Sequence, residues 1–297
     1  MCLPIGSTMS ATSRAAAQLL HVLPRERITR LVGRATRANL PPRLLRPVLD
    51  LYGRAYSVDL SEAVVPDAGF ASFNDFFTRR LREGIRPVDP DPASVVSPAD
   101  GRLDDLGPIT EGSTFTVKGQ RYDAAALLGD DAEARGFVGG EFFIVYLSPR
   151  DYHRVHAPVA GRVARVRHIP GTLYPVNDFG VREVPGLLAR NERVVVYLDS
   201  DIGRVAVVLV GAFVVGRIDL YFPAPPRPAH GGAVALRDYP PEGAPSLARG
   251  AELGAFLLGS TVVVLLPPAA RGRWAAASDT RPGPVRMGEA VTRRVAT

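Results

Sequence analysis

The chain has 297 residues, 46% hydrophobic and 22% charged, which excludes disorder over most of its length and gives one large domain or two modest ones. Its one Cys, Cys2, excludes an internal disulfide framework or thiolate zinc cluster, and its one Lys, Lys118, lies in a polar stretch with no nucleophile-like context, which argues against lysine Schiff-base chemistry. The net charge is +6, and nine Arg against four acids between Met1 and Glu62 put most of the excess in the first fifth of the chain.

A local basic excess suits an anionic surface, either nucleic acid or acidic lipid, and it also arises from Arg scattered freely over a surface. Residues 11–57 read as helical. Ile28, Leu31, Val32 and Ala35 share one helix face, while Arg25, Arg27, Arg30, Arg34 and Arg37 take other positions. After Pro41 and Pro42, a second stripe runs through Leu44, Leu45, Val48, Leu49 and Tyr52. Such basic amphipathic helices lie in a membrane interface or pack their stripe on the main domain, and both readings stand. No run approaches the ~18 apolar residues of a membrane span. The N-terminus does not read as a secretory signal, so the expectation is a cytoplasmic protein with peripheral membrane contact.

Ser72 is the expected cap of a further helix, with Asp75 at the capping-box position. Phe73, Phe76, Phe77 and Leu81 form its apolar face, read as core, and Gly84 and Pro87 end it. From about Val95 the pattern turns to β. Expected strands are Phe142–Leu147, Val163–Ile169, Arg193–Leu198, Val205–Phe222, Ala233–Tyr239 and Thr261–Leu266, with a helical insertion at Tyr122–Leu128. In the second of these, Arg165 and Arg167 fall on one face and Ala164, Val166 and His168 on the other. The tail from Pro267 reads as one or two closing strands and a loose end. The expected fold class is α+β: short N-terminal amphipathic helices, residues 1–62, followed by a mainly β catalytic domain, residues 63–297.

Two corners echo each other. Ser97-Pro98-Ala99-Asp100-Gly101 matches Ala157-Pro158-Val159-Ala160-Gly161, each leading into a strand, and Asp100 stands where the second copy has Ala160. An Asp held on such a turn orients a His or simply makes an Asp-Gly turn. In Tyr146–Pro158, His153 and His156 lie three apart, a spacing that allows a general base and a general acid to share one polar turn. No further ligands at matched spacing support a metal. Gly259-Ser260 precedes a β-branched strand, as turn chemistry or as a reactive Ser at a strained turn. The same tripeptide at Gly6-Ser7-Thr8 has no strand after it and is assigned no role. Asp100, His156 and Ser260 make a possible acid, base and nucleophile set.

In this order, these segments resemble the pyruvoyl-dependent phosphatidylserine decarboxylases, in their long membrane-associated form. The resemblance rests on Phe73-Asn74-Asp75-Phe76-Phe77, Ser97–Gly101, Tyr146–His156, Pro170-Gly171, Asn191-Glu192-Arg193, Val210-Gly211-Ala212, and Gly254 through Leu258-Gly259-Ser260-Thr261. It implies that Ser260 attacks the carbonyl of Gly259, with Asp100 and His156 as orienting acid and base. Elimination and hydrolysis then leave a pyruvoyl group at residue 260, a β chain 1–259 and an α chain 260–297. The pyruvoyl carbonyl would form a Schiff base with the amine of phosphatidylserine and draw electrons during loss of carbon dioxide. His153 would be the acid that protonates the carbanion, giving phosphatidylethanolamine. The resemblance further implies peripheral association with an anionic phospholipid membrane at its cytoplasmic face, a homodimer, no metal and no nucleic acid. Two other readings compete: a Ser-His-Asp hydrolase whose chain stays intact, and a non-catalytic lipid-binding protein.

Overall fold

A computed structural model describes residues 25–212, 217–229, 231–257, 260–269, 273–277 and 280–295. Gly259 and the start of the expected helical stretch, residues 11–24, lie outside them.

Two helices come first, α1 (Arg25–Arg37) and α2 (Pro42–Tyr56). Pro42 sits in the first turn of α2, where its missing N–H costs nothing. The stripe on α2 divides. Leu45 is buried and Leu49 and Tyr52 half-buried, whereas Leu44 and Val48 are exposed, as is Leu51 outside the stripe. The Tyr52 ring meets Phe73, Phe76 and Phe77 at centroid distances of 4.9, 6.0 and 6.4 Å. Those rings belong to α3 (Phe73–Phe77), which Ser72 caps by accepting from Asp75 N at 3.0 Å. The helix stops well short of Gly84, where the sequence places its end. Val64 N donates to Arg80 O and Arg82 N to Glu62 O, so residues 80–82 are drawn into extended pairing with 62–64.

The β domain follows as expected. Its main sheet has nine strands, and eight run in the order β11 (Ala235–Asp238), β7 (Gly161–Ile169), β8 (Arg193–Ser200), β9 (Gly203–Val210), β14 (Ser260–Leu266), β5 (Glu141–Leu147), β2 (Gly101–Pro108), β16 (Gly283–Val285). The ninth, β12 (Ser246–Leu247), pairs with β7, and every pairing is antiparallel. Both faces are covered. One packs Phe142, Ile144, Val208 and Val263 against the hairpin β3 (Thr114–Val117) and β4 (Gln120–Asp123) and against helices α4 (Ala124–Leu128) and α5 (Leu187–Arg190). The other packs Phe143, Val145, Val207 and Val262 against β6 (Arg154–His156), β13 (Glu252–Phe256), β1 (Ser94–Val96) and β17 (Ala290–Val295). Double coverage is why β14 is buried at all seven positions and reads as an unbroken apolar run.

Three expectations shift. The run Val205–Phe222 breaks at Gly211, whose N–H turns to Glu192 O at 2.8 Å while its carbonyl accepts from Asn191 Nδ2. The chain resumes as β10 (Ile218–Leu220), paired with β13 in another sheet. In β7 a bulge between Val163 and Arg165 changes the phase, so Val163 and Val166 are both buried. The tail supplies three strands, β15 (Arg273–Ala276), β16 and β17.

The two echoing corners meet. Val96 N donates to Pro158 O at 3.0 Å and His156 N to Pro98 O at 2.7 Å, a reciprocal clasp between the copies. Gly101 and Gly161 open β2 and β7, and a Cβ on either meets a backbone carbonyl oxygen, Tyr146 O at 2.3 Å or Asp199 O at 2.8 Å. That close approach explains the glycine in both corners.

Candidate active site

Strand pairing brings the candidate residues to one end of the sheet. Leu147, the last residue of β5, lies opposite Ser260, the first of β14. Arg154, the first of β6, pairs with Ala255 near the end of β13. The end of β5 and the start of β6, joined by residues 148–153, therefore lie on the same side as the end of β13 and the start of β14. His153 ends that connection and Ser260 opens β14.

The connection 148–153 is stiff. Asp151 accepts from both Ser148 N and Ser148 Oγ at 2.7 Å. His153 is fully buried, its ring against Phe77 at 4.0 Å, and its carbonyl accepts from Phe256 N at 3.0 Å. Its Nδ1 faces Asp151 O at 2.8 Å. A carbonyl only accepts, so Nδ1 carries the proton and Nε2 presents a lone pair. Nε2 is buried with no hydrogen-bond partner among the described residues. Burial pushes this imidazole down to about 3, so it is neutral at neutral pH.

His156 follows the same tautomer logic. Nδ1 donates to Gly250 O at 2.8 Å, and Nε2 accepts from the Tyr152 hydroxyl at 3.2 Å. Burial lowers its pKa, opposed by the Gly250 carbonyl, Glu252 and Asp100. Burial also raises the pKa of Tyr152, which keeps its proton to donate. Asp100 is not hydrogen-bonded to His156, because both imidazole nitrogens are taken. Its carboxylate instead accepts from Arg86 Nε and Nη2 at 2.6 to 3.0 Å and from Met287 N at 2.8 Å. Arg86 Nη2 also reaches Glu62 at 2.6 Å, so one buried guanidinium holds both carboxylates. Glu62 and Asp100 in turn raise the Arg86 pKa, with the Asp100 hydrogen bond the largest cause.

Ser260 is completely buried, and its Oγ has no hydrogen-bond partner among the described residues. Orphaned buried hydroxyls are costly and rare in finished structures. Among the described residues no bond ties this Oγ, at the head of β14, and it is left free. Lys118 is not: its Nζ is tied between Asp104 at 2.8 Å and Asp178 at 2.6 Å. Sequence reading assigned no role to Arg86 or Tyr152. The signal for Arg86 was the need of a buried Asp100 for a counter-charge.

A sequence model described as phosphatidylserine decarboxylase matches residues 73–293. This chain belongs to the phosphatidylserine decarboxylase family. It is similar to the phosphatidylserine decarboxylase proenzyme of Bordetella avium, 45% identical over 271 residues covering 91% of each chain. To that of Acidovorax ebreus it is 44% identical over 288 residues, 95% of this chain and 99% of the relative. To that of Shewanella halifaxensis it is 42% identical over 276 residues, 92% and 96%. The chain is thus an enzyme of the decarboxylase type, and these relatives are named as proenzymes. Among the described residues, no helix of this family member is long and apolar enough to cross a membrane.

Proposed function

We propose that the chain cuts itself between Gly259 and Ser260 and then converts phosphatidylserine to phosphatidylethanolamine with the pyruvoyl group so formed. The observation that carries the reading is the buried Ser260 Oγ at the head of β14, without a hydrogen-bond partner among the described residues, beside a connection that delivers His153. The residues present fit such a group, since the hydroxyl consumed is one that no described residue holds. In the first step Ser260 Oγ bonds to the Gly259 carbonyl carbon, its proton passes to a base, and the peptide C–N bond breaks to give an ester and a free amine. Loss of the Ser260 Cα proton then breaks the Cβ–O bond and releases the Gly259 carboxylate. Water adds at the resulting dehydroalanine, ammonia leaves, and a ketone remains.

His156 is the base for this step. Tyr152 must release its Nε2, and the nearby Asp100 charge favours the proton that His156 gains. When present, the pyruvoyl carbonyl supplies an electron sink for loss of carbon dioxide from an amino-acid head group. His153 handles the proton of that turnover at Nε2. It accepts one from the substrate ammonium, and burial, which penalises the imidazolium, drives that proton on to the α carbon. The α chain, 260–297, stays in place after the cut. Its β14 is laddered between β9 and β5, and its Met287 N–H holds Asp100.

The lipid substrate gives the N-terminal helices a role at an anionic bilayer. Leu44, Val48 and Leu51 project from α2 among Arg43, Arg46 and Arg54, a surface that seats peripherally on acidic lipid. Replacement Ser260→Ala tests the reading: the variant remains one chain and releases no carbon dioxide, and decarboxylation by the uncut variant contradicts it.

A further inference from the structure

Arg79, two residues beyond α3, is a buried cation with which no anion among the described residues pairs. It is 5% exposed. Its Nη2 donates to Arg150 O at 3.0 Å, while Nε and Nη1 are buried and have no hydrogen-bond partner among the described residues. The guanidinium lies over the Phe76 ring at 5.7 Å. Burial lowers its pKa, and the charges of Asp100, Asp151 and Asp59 oppose this from a distance.

Arg79 helps to wall a cleft of about 440 Å³, together with Asp100, Tyr152, Arg86, Arg150 and Arg286. The other cations there are matched. Arg86 holds Asp100 and Glu62 at 2.6 Å, Arg286 faces Glu62 at 3.5 Å, and Arg150 faces Asp151 at 3.8 Å. Arg79 has no ion pair among the described residues. A guanidinium has no accessible neutral form, so burial without a counter-charge persists only if something else supplies one. Tyr152 walls the same cleft, and its hydroxyl touches His156, so an anion seated on Arg79 shares the cleft with a neighbour of the candidate base.

We infer that Arg79 binds an oxyanion of the lipid head group, a phosphodiester or a carboxylate, and so positions the serine moiety for reaction. The inference rests on the proposed decarboxylation. Phosphatidylserine offers both anions, and its product keeps only the phosphodiester, which separates the two sources.

The test uses the full-length, self-cleaved enzyme with phosphatidylserine in neutral detergent micelles. Wild type is read first. Failure to cleave or to release carbon dioxide overturns the reading of the whole site, whereas the following results bear on Arg79 alone. Arg79→Gln is expected to raise KM roughly ten- to a hundredfold, the range of a charge-assisted hydrogen bond, with a smaller change in kcat. Arg79→Lys, which keeps the charge, recovers part of the loss, and it carries the same readout if the Gln variant fails to fold. Weakened inhibition by added phosphatidylethanolamine in parallel with KM assigns the phosphodiester; unchanged inhibition with raised KM assigns the carboxylate. Processed variants with unaltered KM overturn the inference. So does equal failure of both variants to self-cleave, which assigns Arg79 to the fold.

Discussion

The carbonyl of His153 accepts the backbone N–H of Phe256 at 3.0 Å, four residues before Ser260. That bond fixes the connection bearing the imidazole against the strand that leads to the expected cut. The same residue is sealed by Phe77 on its other side. Among the described residues, a neutral imidazole with an unused lone pair and a buried hydroxyl with no partner, at the same end of the sheet, are costly for a fold and useful for chemistry.

The burial of His153 predicts acid sensitivity. Its pKa falls from 6.5 to about 3 on folding, so between those values the unfolded chain binds a proton that the folded chain refuses. Stability is full above the unfolded value and drops as pH falls through that window, by about 1.4 kcal/mol per pH unit for one such group. Denaturation midpoints measured above and below pH 6.5 check this. The wild type is expected to lose more stability on acidification than His153→Gln, and equal losses contradict it.

Arg86 is expected to be indispensable for self-cleavage. Arg86→Gln leaves Asp100 and Glu62 side by side without the guanidinium that holds both, and breaking a buried pair costs roughly 3–5 kcal/mol. A denaturing gel should show the uncut 31.8 kDa chain where wild type is cut, together with a lowered Tm. Arg86→Lys should restore part of both.

Two glycines should respond in opposite directions. A Cβ at Gly101 lies 2.3 Å from Tyr146 O, so Gly101→Ala displaces the corner that carries Asp100 and costs more than roughly 2 kcal/mol. Gly53 lies inside α2 with nothing within 4 Å of a Cβ, so Gly53→Ala stabilises by roughly 0.5–1 kcal/mol. Urea denaturation of the two variants measures both signs.

The two faces of α2 are expected to separate membrane binding from chemistry. Leu44, Val48 and Leu51 are 57%, 49% and 70% exposed, and replacing all three by Gln should lower binding to anionic vesicles by at least roughly tenfold, from the apolar area lost, with self-cleavage intact. Tyr52→Ala acts on the other face, where the hydroxyl donates to Pro149 O at 3.1 Å and the ring packs on the phenylalanines beside His153. It should slow self-cleavage and leave vesicle binding near wild type. Co-sedimentation and a processing time course read the two effects. A triple variant that sediments like wild type contradicts the interfacial role. Because Tyr52 bonds to Pro149 O and Glu62 to Arg86, point substitutions are a cleaner test than removal of the segment.

Local rules carried much of the architecture. The central strands β5, β9 and β14 are apolar runs bounded by Gly or Pro, and the Ser72 cap lies where its side chain must accept a backbone N–H. Tertiary contacts decided the remainder. Helix α3 ends early because residues 62–64 pair with 80–82, and the β7 bulge moves Val163 to a buried position that strict alternation denies it. At the site, the His pair and Ser260 stand out by residue type and by family resemblance. The partners of Asp100 do not, because Arg86 and Met287 reach it from 14 and 187 residues away. Tyr152 lies four residues from His156, but only the fold turns its hydroxyl onto Nε2.

The most direct test of self-cleavage at Ser260 is the intact mass of freshly purified enzyme with and without borohydride. The account predicts two chains, the smaller of about 4 kDa from the 38 residues 260–297 of the 31.8 kDa protein, gaining two hydrogens on reduction of its terminal ketone. Active enzyme that runs as one uncut chain with no borohydride-dependent mass change contradicts it.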